Sequence, residues 1–217
     1  MSSRLIAIGD IHGCSDALDA ILNAIKPSSN DTIVTLGDYV NRGPDSRGTI
    51  ERLIELGNRC TLVPLLGNHD QMVLQNRSAR SIDPYQLADD TYSEQDLFDS
   101  THFSFLSSCR LFFETEEHFF VYANYDAKKD LSDQDTYTLL WRSLATHMPA
   151  RHRSRKTAIL GHTSQKDGKV LKKRHLVCID TYCHGGGWLT AFDVHSRAIW
   201  QVDKTGTKRN SFAQDRG

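Results

Sequence analysis

The sequence has no excess of either charge. Its 217 residues carry 26 Lys and Arg against 27 Asp and Glu, a formal net charge of −1. A protein that grips nucleic acid through its phosphates is markedly basic, so no nucleic-acid partner is expected. The same balance, with 39% hydrophobic residues, argues against disorder. No apolar run approaches the ~20 residues of a membrane span, so no membrane partner is expected either. The first residues lead straight into a strand-like run, without the apolar core and cleavage site of a secretion signal. The five cysteines, at 14, 60, 109, 178 and 183, are odd in number and form no CxxC pair. A disulfide framework is therefore not expected, and the reading is a reduced, cytoplasmic protein. Repeats and low-complexity linkers are absent too. We expect one catalytic domain over 1–204 and a polar, mobile tail over 205–217. A chain of this length buries roughly 70% of its unfolded surface and needs no staple.

What is present is a regular alternation of strand and helix signals. Leu5–Ile8 is a short apolar run. Leu18, Ile21, Leu22 and Ile25 follow at helical spacing, and Pro27 closes that helix. Thr32–Leu36 is β-branched; Ser46 is a plausible N-cap for a second helix that stops at Gly57. Thr61–Leu66 reads as a third strand, a reading that Pro64 either weakens or places at an edge or a strand start. This β-α-β-α-β order predicts parallel strands with right-handed crossovers. Residues 71–110 read as helical with a polar break over Ser78–Thr91. Further strands are expected at 119–123, 157–160, 176–179, 189–194 and 198–202, with a helical stretch at 133–146.

Four polar clusters follow predicted strands. They are Gly9-Asp10-Ile11-His12-Gly13, Gly37-Asp38-Tyr39-Val40-Asn41-Arg42-Gly43, Gly67-Asn68-His69-Asp70 and Gly161-His162-Thr163. In α/β sheets, ligands sit beyond the carboxyl ends of the strands, so these side chains should converge. Any one cluster alone is more often a turn than a site. All four in order predict a metal centre. Mixed Asp, His and Asn donors suit Mn²⁺, Fe or Zn²⁺. Two such ions need a shared carboxylate, and Asp38 is placed to bridge them. A metal pair activates water and clamps phosphate oxygens, so phosphoester hydrolysis is the natural reaction. Arg42 offers a planar fork for phosphate, and His69 can protonate the leaving oxygen.

This order of motifs resembles the phosphoprotein phosphatase family of calcineurin-like metallophosphoesterases, most of all its small bacterial members, over roughly residues 4–203. The resemblance implies an α/β sandwich of two mixed β-sheets flanked by helices, with a dinuclear centre that hydrolyses phosphomonoesters through a metal-bridging hydroxide. Carried over motif by motif, Asp10, His12 and Asp38 would hold the first metal, and Asp38, Asn68 and His162 the second. Mn²⁺ is the expected ion, with Fe or Zn²⁺ as alternatives. Arg42 would bind phosphate, His69 would be the acid, and Arg142 in Leu139-Leu140-Trp141-Arg142 resembles a second phosphate-binding arginine.

The sequence departs from that family at three positions. Tyr122, in Phe120-Val121-Tyr122-Ala123, stands where the family has a histidine of the second metal shell. A phenol is a poorer ligand than a neutral imidazole near pH 7. Tyr122 can bind as a phenolate, Asn124 or Asp126 can step in, or Tyr122 can simply pack and leave the site a ligand short. The expectation is a weakly held second ion and activity that is low or needs added Mn²⁺. Asn41 replaces an aspartate that pairs with the acid histidine. It can orient His69 but cannot stabilise an imidazolium, so good leaving groups should be preferred. Asp70 replaces a glutamate in an orienting role. The segment Ile179–Trp188 follows a strand and is rich in glycine; its Tyr182 or His184 either lines the phosphate pocket or packs.

The leading expectation is a phosphatase of phosphoserine or phosphothreonine proteins or of small phosphoesters, as a monomer or weak oligomer. One alternative is a dinucleoside polyphosphate hydrolase, which resembles this chain in lacking an acid at position 41. The other is an impaired phosphate-binding pseudo-phosphatase.

Overall fold

The computed structural model describes residues 3–79 and 98–209. The expected polar break at 78–91 and most of the tail lie outside them or at their margin. The chain runs β1 (Leu5–Ile8), α1 (Ser15–Ile25), β2 (Thr32–Thr35), α2 (Ser46–Gly57), β3 (Thr61–Pro64), α3 (Asn68–Ala79) and α4 (Ser100–Ser108). It continues through β4 (Phe112–Glu114), β5 (His118–Val121), α5 (Thr136–Trp141), β6 (Thr157–Leu160), β7 (Leu171–Lys173), β8 (Leu176–Cys178), β9 (Leu189–Asp193) and β10 (Ile199–Val202).

Among the described residues, ten strands form two five-stranded sheets, ordered β10-β9-β1-β2-β3 and β4-β5-β6-β8-β7. In the first, β1, β2 and β3 are parallel and β9 and β10 run against their neighbours. In the second, β5, β6 and β8 are parallel between antiparallel β4 and β7. The two mixed sheets flanked by helices are the architecture expected from the sequence.

Period-two alternation decides which face each strand gives to the sandwich. Leu5, Ala7, Val34, Leu36, Val63 and Leu65 pack with Phe120, Ile159, Val177 and Ile179 in the layer between the sheets. The alternate residues Ile6, Ile8 and Ile33 face α1 and α2 instead, against Leu18, Ile21, Leu22 and Leu53. Each large side chain so buried contributes about 1.5–3 kcal/mol. On the other side, Phe119, Val121, Ala158 and Leu160 pack under Leu139 and Leu140 of α5.

Differences from the sequence reading are local. The N-cap of α2 is Asp45, whose carboxylate accepts from Gly48 N at 2.8 Å. Ser46 begins the helix and instead holds the preceding loop, its Oγ accepting from Asn41 N at 2.9 Å. Pro64 is the last residue of β3, an edge strand, where its missing N–H costs nothing. The two short strands β4 and β7 were not anticipated, because three residues are too few to show a period. The helix at 133–146 is only the six residues of α5, capped by Asp135.

Candidate metal centre

All six parallel strands end at one place. β1 delivers Asp10 and His12, β2 delivers Asp38, Asn41 and Arg42, and β3 delivers Asn68, His69 and Asp70 at the start of α3. From the second sheet, β5 delivers Tyr122, β6 delivers His162 and β8 delivers Asp180. The loops are drawn in tightly. A Cβ at Gly161 would collide with the Asp10 carboxylate, and one at Gly67 with that of Asp38. His12, Asp38, Asn41, Arg42, His162 and Tyr182 all adopt positive φ, between 49° and 69°. Left-handed backbone is costly for residues with a Cβ and clusters where function over-determines it. Backbone bonds lock the first two loops together, with Ile11 N and His12 N both donating to Asp38 O at 3.1 and 2.8 Å.

Asp10, His12 and Asp38 bring one ligand atom each within 4.8 Å of one another. All three are buried. His12 Nδ1 faces Val40 O at 3.2 Å, which leaves Nε2 turned toward Asp38 Oδ2 at 3.4 Å. Fixing one ring nitrogen on a carbonyl so that the other faces the ion is how ligating histidines are oriented. Burial, with Asp38 opposing and nearby His184, His69 and Arg42 assisting, lowers the His12 pKa to about 3, so the imidazole is neutral and ready to ligate. Burial, together with the charges of Asp180 and Asp38, pushes the Asp10 carboxyl well up. Asp180 is pushed up too, chiefly by burial. Burial works against the charge of Asp38 as well, yet His12, His69 and the Tyr122 hydroxyl hold its carboxyl down.

The electrostatics call for a cation. Among the described residues no Lys or Arg is buried, while Asp10, Asp38, Asp70 and Asp180 are. Arg42 is exposed, at the rim of the site. Buried carboxylates without a paired charge are costly unless they coordinate a metal. The Asp10–His12–Asp38 donor set fits a divalent ion of the Mn²⁺, Fe²⁺ or Zn²⁺ type.

The other expected positions divide. Asn41 Nδ2 lies 3.1 Å from His69 Nδ1, the orienting contact anticipated for this pair. His69 N donates to Asp38 Oδ1 at 3.0 Å. Asp70 is structural: it accepts from Asp38 N, Tyr39 N and Gly67 N at 2.8, 3.0 and 3.0 Å, so its carboxyl shapes the Asp38 loop. Arg142 is the half-buried C-cap of α5, beside Trp141, whose carbonyl lies 3.3 Å from His162 Nε2. His162 N donates to both Asp10 oxygens at 3.1 Å. Tyr122 is fully buried, and its hydroxyl bonds to Asp38 Oδ2 and lies 2.7 Å from Asn68 Oδ1 and 3.1 Å from His162 Nδ1. Asn124 and Asp126 do not step in. Asn124 spans His147 O and Tyr125 N, and Asp126 accepts from Lys128 N.

Asp180 was passed over in the sequence, although the run Leu176-Val177-Cys178-Ile179 ending in Asp180 repeats the strand-then-acid pattern of β1 and β2. Its carboxylate accepts from Ser164 Oγ at 2.7 Å and Tyr182 N at 3.0 Å. His184 enters the site as well, its ring centroid 4.5 Å from that of His12 and 4.8 Å from that of Tyr182. Of the remaining histidines, His102 closes a capping box with Asp99, and His152 is buried between Ser154 and Lys129 O.

A sandwich that gathers carboxylates and imidazoles from both sheets into one buried centre is a metal-binding α/β protein. The model of the calcineurin-like phosphoesterase family matches residues 3–193, and the chain belongs to that family, whose members use divalent metal ions. Among curated relatives, a symmetrical bis(5'-nucleosyl)-tetraphosphatase of Acidovorax sp. (strain JS42) is 49% identical over 71 residues, 32% of this chain and 25% of the relative. The corresponding protein of Burkholderia pseudomallei (strain 668) is 38% identical over 73 residues, 34% of this chain and 25% of the relative. The aligned stretch thus spans a quarter of those relatives' length. A crystal structure described as a candidate diadenosine tetraphosphatase superposes with a TM-score of 0.74 at 23% identity, covering 93% of this chain and 94% of that one. A cold-active protein-tyrosine phosphatase of a psychrophilic Shewanella gives 0.68 at 16% identity over 96% of this chain and 80% of that one. At those identities the likeness is one of fold.

Proposed function

We propose that this chain is a metal-dependent phosphohydrolase that cleaves phosphoanhydride bonds of dinucleoside polyphosphates in preference to phosphoproteins. The observation that carries the preference is the Asn41–His69 contact at 3.1 Å. A carboxylate at position 41 would stabilise a protonated His69; a neutral amide orients the ring and does no more. Protonation of the leaving oxygen then has no carboxylate behind it. Cleaving a phosphoserine expels an alkoxide, which needs strong protonation. Cleaving a P–O–P bond expels a phosphate, which needs little. The names of the partial relatives, symmetrical bis(5'-nucleosyl)-tetraphosphatases, support the same substrate class.

The residues divide the work. Asp10, His12 and Asp38 hold a divalent ion, Mn²⁺ being the first to try. When bound, such an ion supplies Lewis acidity toward a phosphoryl oxygen and toward water. Arg42, exposed at the rim, receives the polyphosphate by bidentate hydrogen bonds, with Arg142 as a second contact. His69 gives its proton to the departing oxygen.

The test compares nucleoside diphosphate release from diadenosine tetraphosphate with phosphate release from a phosphoserine peptide, both with Mn²⁺. Faster turnover of the dinucleotide is expected. Hydrolysis of the peptide alone would return the reading to a protein phosphatase. Hydrolysis of neither, with phosphate still bound, would mark a pseudo-enzyme.

A further inference from the structure

The exposed apolar side chains of this molecule are gathered beside the metal centre. Among the described residues, the exposed large hydrophobics are Tyr137, Trp141 and Met148, at 64%, 38% and 45% exposed. All three fall within the segment 137–148. Tyr137 and Trp141 stand four residues apart on α5, so they share one face of that helix. Large apolar side chains left together in water mark a surface that something covers.

Trp141 is tied to both halves of the site. Its carbonyl lies 3.3 Å from His162 Nε2. Just beyond it, Ser143 Oγ lies 3.3 Å from Thr163 Oγ1, and Leu144 N donates to the same oxygen at 2.9 Å. The end of α5 is thus pinned to the Gly161-His162-Thr163 loop of the second sheet. From the same residue, the indole Nε1 donates to Gln71 Oε1 at 3.0 Å. Gln71 is on α3, two residues after His69. An indole has one polar group, its N–H. With that group engaged by Gln71, the rest of the side chain offers aromatic carbon. The ring therefore has a set place at the rim, against the helix that carries His69 and one residue before Arg142.

A nucleotide calls for this pairing of groups. Its phosphates need cations, and its base presents a flat π-face. With the reacting phosphate at the metal and the neighbouring phosphates on Arg42 and Arg142, the base lies outward of them, at the rim. Stacking on an aromatic ring strengthens the hold on a base by about 5- to 150-fold, whatever its identity.

We propose that Trp141, with Tyr137 extending its face, is the platform on which a nucleobase of the substrate stacks. The proposal rests on the dinucleotide reading above and names what holds the part of that substrate beyond the phosphates.

Two measurements on the full-length protein with Mn²⁺ test it. The first compares diadenosine tetraphosphate with inorganic tripolyphosphate, which has the same bond type and no base. In Trp141→Ala the ratio of kcat/KM for the dinucleotide to that for tripolyphosphate should fall about 5- to 150-fold. The loss should lie in KM, and Trp141→Phe should recover most of it. An equal loss on both compounds would overturn the proposal, because Trp141 would then only support the His162 loop. The second measurement needs no turnover. Adenosine diphosphate should quench the tryptophan fluorescence of the wild type saturably, and pyrophosphate should not. The quenching should vanish in Trp141→Phe, in which Trp188 and Trp200 remain. Quenching that survives in Trp141→Phe would overturn the proposal. So would its absence in the wild type, which would leave the rings to a peptide or a second copy of the chain. Quenching through Trp141 without cleavage of the dinucleotide would sink the dinucleotide reading and keep the platform. Cleavage with neither quenching nor a change in the ratio would do the reverse.

Discussion

The two sheets share one plan, three parallel strands with antiparallel neighbours, yet they furnish the site differently. The first sheet ends in Asp10, His12 and Asp38, a compact set of charged and imidazole donors within 4.8 Å. The second ends in Tyr122, His162 and Asp180, where a neutral phenol sits among groups suited to a second cation. Equivalent scaffolds therefore do not fix equivalent chemistry. A strand end sets where a side chain begins, and its length and charge decide what it offers to the space beyond it.

The contrast can be broken most forcefully on the first sheet's side. Asp38→Asn removes a charged donor shared by every part of the centre. Because loss of an outer-shell partner alone costs about 10–100-fold in metal affinity or activity, this substitution should cost more than about a hundredfold in kcat/KM with Mn²⁺. A chelator should silence the wild type, and added Mn²⁺ should restore it. Retained activity after exhaustive chelation would mean that the carboxylate cluster serves some end other than a metal.

The acid should come next. His69→Ala should lower kcat by about 10²–10⁴-fold on a substrate with a poor leaving group. On p-nitrophenyl phosphate the loss should be much smaller. Equal losses on both would assign His69 to binding. The reciprocal change, Asn41→Asp, should raise turnover of a phosphoserine peptide by several-fold and leave the dinucleotide nearly unchanged, read as a ratio of the two rates.

The smallest effect should come from the opposite end of the same strands. Asp31 precedes β2, is 1% exposed, and accepts from Arg4 Nη2 at 2.6 Å and Ser28 N at 2.8 Å. Arg4, 31% exposed at its side chain, is the main reason that the Asp31 carboxyl is held well below its usual range. A depressed carboxyl adds stability that is present above the unfolded value, about 3.9, and is lost as pH falls through the folded one. Asp31→Asn should therefore cost about 1–2 kcal/mol near neutrality. The gap in thermal midpoint to the wild type should close as the pH drops below about 4, with kcat unchanged at 25 °C. A gap that persists in acid would assign the stabilisation to packing.

Much of this was legible in the chain itself. β1 and β6 were placed to the residue, because short β-branched or apolar runs ending in Gly-Asp or Gly-His carry both a strand and its stop within a few residues. Asp10, His12, Asp38, Asn41, Asn68, His69 and His162 stand out for the same reason, since each lies one to four residues beyond such a run. The family resemblance also exposed Tyr122 as a departure, but it left open whether that side chain ligates, packs or yields to Asn124 or Asp126.

Only the tertiary structure shows what Tyr122 meets. Tyr122 is 84 residues from Asp38 and 54 from Asn68. No local period encodes a contact across that distance; it exists because packing the two sheets face to face aims β5 and β2 at the same point. Asp180 and His184 join the centre by the same route, through β8 and the turn after it. The sequence determined which groups can bind an ion, because donor chemistry belongs to the residue. The fold determined which of those groups meet, because meeting depends on the register of two sheets built from distant parts of the chain.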